Sequence, residues 1–164
     1  MKVLLDTSFL LPFIKIEPEN ITSQQLKEVL GGQEHTFVYS ELSIFELVAK
    51  GMKICFNSVL MIEDIHNGID SLIYRSPLTP INWTSHPSLL ELAYKIRKIH
   101  SDTIDCLIFS SALYFSDCFA TADVNLFETI KQQEALYNEI KSINSRFYLW
   151  FDDLSQNPIL FSEL

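Results

Sequence analysis

The sequence predicts an α/β layered fold built on a mostly parallel sheet of five strands. Three observations point there. Short apolar runs recur along the chain, segments with helical apolar spacing separate them, and an Asp stands at the end of two of the runs. Lys2 to Leu5 is the first run, short and apolar enough for a buried strand, and Asp6-Thr7-Ser8 ends it. Those three are strong helix N-cap residues, and Phe9 to Ile14 follow as the first helical turns. Thr22 to Glu34 is polar and helix-forming and closes near Gly31-Gly32. Thr36-Phe37-Val38-Tyr39, β-branched and aromatic, is the second strand.

Glu41 to Lys53 spaces Leu42, Phe45, Val48 and Ala49 as the inner face of a helix. Asn57 to Ile73 is a further helix, with Val59, Leu60, Ile62, Ile65, Ile69 and Leu72 as its apolar stripe. A short third strand falls within Pro77 to Trp83, and Pro87 to Ile99 and Asp102 to Phe115 both read as helices. Cys118 to Thr121 is a brief apolar strand followed at once by Ala122-Asp123. Phe127 to Ile143 is helical, and Arg146 to Phe151 is the fifth strand.

At 164 residues, 48% of them apolar and 20% charged, the chain suits one soluble domain spanning 1–164. No apolar run approaches the roughly 20 residues that cross a bilayer, so no membrane association is expected. Met1 to Leu5 begins like a secretory signal, but Asp6 interrupts it and no small-residue cleavage site follows Pro12. Cys55, Cys106 and Cys118 are odd in number and share no ligand spacing, and the four His are dispersed. A disulfide framework and a zinc site are both disfavoured, and a cytoplasmic location is expected.

The net charge of −9 runs against nonspecific nucleic-acid binding, which needs a basic face. Divalent cations held by acidic side chains would offset part of it. Lys95, Arg97 and Lys98, just ahead of Asp102, are the candidates for phosphate contacts, with a solvated helix face as the plain alternative.

Ligand sites of open parallel sheets collect at the carboxyl ends of the strands. Asp6 and Asp123 each follow a strand and are delivered to the same edge. Glu46 lies in the second turn of the helix after the second strand, with Leu42 and Ala49 one turn to either side, so it faces inward. Asp105 opens the apolar stretch Cys106-Leu107-Ile108-Phe109. Buried carboxylates must be paired, hydrogen-bonded or neutralised by metal, and converging carboxylates without His or Cys suit Mg²⁺ or Mn²⁺. Taken singly, Asp6 and Asp123 also fit plain helix N-caps, and Glu46 an ordinary helix surface.

As a set the acids resemble the PIN-domain family. Its pattern is an apolar strand ending in Asp with Ser, Thr or Asn close behind, a helix-borne Glu, an Asp opening an apolar helix, then Thr-x-Asp. Here the four elements are Val3-Leu4-Leu5-Asp6-Thr7-Ser8, Ser40-Glu41-Leu42-Ser43-Ile44-Phe45-Glu46-Leu47, Asp105 to Ala112, and Thr121-Ala122-Asp123-Val124-Asn125, within residues 1–127.

The resemblance implies a three-layer α/β/α sandwich and a Mg²⁺- or Mn²⁺-dependent ribonuclease. Asp6, Glu46, Asp105 and Asp123 would be its catalytic and metal-binding acids, and the Ser8 and Thr121 hydroxyls would orient them. Two ions roughly 3.5–4 Å apart would serve in-line displacement at phosphorus, with no side-chain base required. The family includes toxin nucleases of the VapC type, so RNA, an antitoxin-like partner protein and a homodimer are the expected partners.

Many members carry a further acid where this chain has Asn125, whose amide offers only a neutral oxygen. Asp102 is a substitute acid on about the same helical face as Asp105. The tail from Glu128 to Leu164 exceeds a minimal domain, and its aromatics from Phe147 to Phe151 fit either a fifth strand or a dimer contact. A catalytically weak PIN-like module that binds RNA or a protein partner is the alternative. Two other α/β classes lack their signatures. A receiver domain needs an acid pair after the first strand, and a haloacid-dehalogenase phosphatase needs Asp where Ser8 stands.

Overall fold

Strand β1 (Lys2–Leu5) is buried on both sides because every second residue faces a different helical layer. Leu4 joins one hydrophobic cluster, while Val3 and Leu5 join another on the opposite face. The computed structural model describes residues 1–18, 21–32, 34–57, 60–132 and 134–163. Strands β2 (Thr36–Ser40), β3 (Thr79–Ile81), β4 (Cys118–Thr121) and β5 (Tyr148–Phe151) run parallel to β1. The sheet has six strands rather than five, in the order β3-β2-β1-β4-β5-β6. The sixth, β6 (Ile159–Leu160), pairs antiparallel with β5. Two residues after Asn157-Pro158 are too short a run to show alternation, so sequence pattern alone passes over it.

Helices cover both faces. On one side lie α5 (Ser88–Arg97), α6 (Thr103–Phe115), α7 (Val124–Gln132) and α8 (Glu134–Ile143), which enclose Leu4, Val38, Phe119 and Leu149. On the other lie α1 (Thr7–Leu10), α2 (Ser23–Gly31), α3 (Glu41–Cys55) and α4 (Ile62–Tyr74), around Val3, Leu5, Phe37, Tyr39 and Ala120. The expected three-layer architecture is present. α6 is apolar nearly all round, as suits a helix packed between the sheet and α5.

Element boundaries differ from expectation where local hydrogen bonds decide them. The helical turns from Phe9 to Ile14 divide into α1 and a 3-10 turn, Leu11–Ile14, with Pro12 near its start. Thr22 caps α2 from outside by accepting the Gln25 N–H at 3.2 Å. α4 begins at Ile62, later than expected, because the Asp64 carboxylate accepts the Met61 N–H at 3.2 Å. Val59 of the expected stripe lies outside the described residues, as does Gln33 at the end of the α2 segment. Of the helix expected from Phe127 to Ile143, the described residues on either side of Gln133 are helical, as α7 and α8, and Gln133 itself lies outside the described residues.

The inner face of α3 is also rotated from the expected one. Phe45 is 67% exposed and Ala49 is exposed, while Ser43, Glu46, Leu47 and Gly51 are buried. Small residues explain the rotation. A Cβ on Gly51 would sit 2.7 Å from Ile65 Cδ1, so the bare backbone is what lets α4 pack closely there. Phe147, Leu149 and Trp150 at the fifth strand are buried, and Tyr148 and Phe151 are half-buried. They supply a strand rather than a face for a second copy.

Candidate active site

β1 and β4 are neighbours at the centre of the sheet, although most of the chain lies between them in sequence. The chain builds outward from β1 to β2 and β3, then crosses back to place β4 on the far side of β1. That reversal opens a crevice beyond the carboxyl ends of the two strands, where open α/β sheets place their ligands. Asp6 ends β1 and Asp123 stands two residues past β4, so both occupy this rim.

The rim is tied by hydroxyl groups of fixed direction. Asp6 Oδ2 accepts from Ser8 Oγ at 2.9 Å and from Thr121 Oγ1 at 3.0 Å. The Ser8 oxygen in turn accepts the Ala122 N–H at 3.1 Å, and the Thr121 oxygen accepts the Asp123 N–H at 3.0 Å. Because each hydroxyl gives its proton to Asp6, its lone pairs are left for the backbone just past β4. Asp123 Oδ1 accepts the Leu126 N–H at 2.9 Å and so caps α7. The N-cap alternative thus separates the two acids. Asp123 does cap its helix, whereas Asp6 makes no side-chain cap bond to α1.

Asp6 is 4% exposed and its Oδ1 has no hydrogen-bond partner. Burial, and next the Glu46 carboxylate, push the Asp6 carboxyl above its ordinary range, against the pull of the Ser8 and Thr121 hydrogen bonds. Glu46 reaches the same place from α3. It is 9% exposed; Oε2 accepts the Thr7 hydroxyl at 2.5 Å, and Oε1 meets Lys50 Nζ at 2.6 Å. Lys50 is raised: burial works against its charge, but the Glu46 contact and the charges of Asp6 and Asp105 outweigh it.

Asp105 enters from the first turn of α6, where Asp102 caps the helix by accepting the Ile104 N–H at 2.8 Å. Its Oδ2 lies 2.9 Å from Nε2 of the buried His100. Burial pushes the Asp105 carboxyl up to about 6; the His100 hydrogen bond pulls it down, and the charges of Asp6, Asp102 and Glu46 add to the rise. Asp102, Asp105, Asp123 and Asn125 line one open recess together with His100. Asn125 is exposed at its edge.

The raised Asp105 has a definite consequence for stability. Its folded value stands above the ordinary 3.8, so the folded chain keeps a proton that the unfolded chain releases. The stability this gives is full below about pH 4 and is lost as the pH climbs through about 6. Asp105→Asn removes the effect. Relative to wild type, the variant should gain about 2 kcal/mol between pH 4 and pH 7 in ion-free buffer. Urea unfolding at the two pH values measures the gap, and a gap that does not change with pH would contradict the assignment.

The cations ahead of Asp102 have partners within the chain. Lys95 Nζ binds Glu139 Oε1 at 2.6 Å, and Lys98 Nζ lies 4.9 Å from the centre of the Tyr94 ring. Arg97 braces the α5–α6 turn, donating to Thr103 Oγ1 at 3.0 Å and to the His100 carbonyl at 3.3 Å.

Three side chains at the rim escape the sequence reading: Thr7, Lys50 and His100. Lys50 had a signal, since it stands four residues after Glu46 on one helix. His100 has none, because its contact with Asp105 depends on the turn between α5 and α6.

The acid set offers oxygen donors only, and the orphaned Asp6 Oδ1 is a buried carboxyl oxygen of the kind a hard cation takes as a ligand. Among the described residues, no three acidic, His or Cys side chains stand as a preformed ion cage. Lys50 and His100 hold Glu46 and Asp105 instead. The donor chemistry therefore fits a divalent ion, with those two contacts to be loosened or shared on binding.

The motif order and this rim agree with a family model, described as PIN domain, that matches residues 3–132. The chain belongs to the PIN-domain family. A chain from the crystal structure of VapBC2 from Rickettsia felis, bound to a DNA fragment from their promoter, is similar to this PIN domain. The TM-score is 0.55 at 18% identity, with 79% of this chain and 93% of that chain covered. At that identity the likeness bears on fold alone. No curated protein matches the PIN chain significantly. None of its described helices is long and apolar enough to cross a membrane.

Proposed function

We propose that this PIN domain is a Mg²⁺- or Mn²⁺-dependent ribonuclease that hydrolyses phosphodiester bonds with Asp6, Glu46, Asp105 and Asp123. The supporting observation is the Asp6 carboxylate, buried beside Glu46 with one oxygen unpartnered. Such a group is costly unless it takes up a proton or meets a cation, and a divalent ion answers that cost at a rim of converging acids. When bound, a divalent ion supplies polarisation of the phosphodiester and neutralises charge gathering at phosphorus. The chain's own residues supply the placement. Ser8 and Thr121 fix the Asp6 plane, Thr121 also fixes the Asp123 backbone, and Thr7 holds Glu46. Asp102 and Asn125 border the recess where a substrate phosphate would enter. Lys95, Arg97 and Lys98 enter this reading only as outlying phosphate contacts.

The test is cleavage of RNA in Mn²⁺ by wild type and by Asp6→Asn, Glu46→Gln, Asp105→Asn and Asp123→Asn. Loss in the variants is expected, and unchanged cleavage in all four would end the assignment.

One observation favours a second reading, a binding module without turnover. Glu46 and Asp105 are already engaged by Lys50 and His100, which reduces the charge an ion would meet. Calorimetric titration with Mn²⁺ separates the two readings, since a module has no need of the ion. We also propose an antitoxin-type protein partner, in keeping with the VapBC2 structure, and a homodimer as a further assembly. Exposed Phe45 and Met52 on α3, and Phe56 just past its end, are available to either.

A further inference from the structure

Glu46 has no oxygen free. Thr7 takes Oε2, and the Lys50 ammonium takes Oε1 at 2.6 Å. A Glu–Lys pair four residues apart is ordinarily a solvated surface feature. Here the acid is buried, and the ammonium also lies within the field of Asp6 and Asp105. The two ends of the acid set are therefore unlike. The Glu46 end holds a positive charge of the chain's own. The Asp6–Asp123 end holds none: among the described residues no Lys, Arg or His is ion-paired with either acid, and Asp6 Oδ1 is orphaned. Asn125 makes the set poorer still in charge, offering a neutral amide at the edge of the recess.

We propose that the site takes a single divalent ion, on the Asp6–Asp123 side, and that the Lys50 ammonium serves as its second, permanent cation. Lys50 neutralises Glu46 and presents N–H donors to a substrate phosphate, where a second ion would otherwise sit. It supplies fixed charge and takes no part in proton transfer. This inference rests on the nuclease reading and deepens it. It also accounts for an acid set that is not a ready cage for two ions.

Stoichiometry tests it without reference to turnover. Ion-free protein is titrated with Mn²⁺, and the unbound ion is read by electron paramagnetic resonance. Wild type and Lys50→Arg are expected to take up one ion per chain. Lys50→Met and Lys50→Gln, which free Glu46, are expected to take up two. Two ions in wild type, or one ion in both neutral variants, overturns the proposal. Asp6→Asn is titrated alongside. If it binds Mn²⁺ as wild type does, the carboxylate-site reading itself fails. If it loses the ion, that reading stands and the Lys50 result is judged alone. No uptake by wild type defeats both.

Discussion

Asp6→Asn is expected to move function and stability in opposite directions. Cleavage in Mn²⁺ should fall by about 10³-fold or more, the equivalent of the several kcal/mol that an ion contributes at roughly 1.4 kcal/mol per decade. Thermal stability in ion-free buffer should rise. The wild-type carboxyl is held above its ordinary range by burial and by Glu46, so its ionised form opposes folding at neutral pH. Asparagine keeps an acceptor for the Ser8 and Thr121 hydroxyls and puts a neutral N–H where Oδ1 lacks a partner. Relief of one unsatisfied buried charge amounts to about 1–3 kcal/mol, or several degrees in Tm for a domain of this size. Scanning calorimetry in chelator checks it. A fall in Tm would mean that the carboxylate is a structural keystone rather than a group kept for a ligand.

Thr121→Val should damage both properties together. The side chain is fully buried, and its hydroxyl donates to Asp6 while accepting the Asp123 N–H. Valine fills nearly the same space, so packing survives and the hydrogen bonds do not. Two buried polar groups then lose a partner, for a loss of about 1–3 kcal/mol in urea unfolding. Cleavage should drop by about 10–100-fold, as it does when the groups that orient ligands are removed. Thr121→Ser, which restores the hydroxyl, should recover most of both. A valine variant as active and as stable as wild type would show that the hydroxyl orients nothing.

Much of this was legible in the sequence where a residue's surroundings are set locally. β1, β2 and β4 are apolar runs stopped by polar residues, and position after a strand end is enough to send Asp6 and Asp123 to one rim. Glu46 was expected to face inward and does, but on other neighbours than those that suggested it. Hydropathy favours Phe45 and Ala49 as the inner face, while contact favours Ser43 and Gly51, whose small size lets neighbouring helices approach. Size complementarity between helices is a tertiary property that periodicity does not encode. The same limit applies at the site. The acids announce themselves by type and spacing, but the engagement of Asp105 by His100 is visible only once the turn after α5 is folded. β6 is a tertiary product too, two residues ordered by the strand beside them.

The outer margins of the sheet bear on how this protein can associate. β3 has three residues with Pro80 in the middle, and β6 has two, directly after Pro158. Neither margin offers a length of unpaired backbone that another chain could extend, so edge-to-edge aggregation is blunted at both ends. A polypeptide that binds here must therefore dock through its side chains on a helical surface, and cannot join as an added strand.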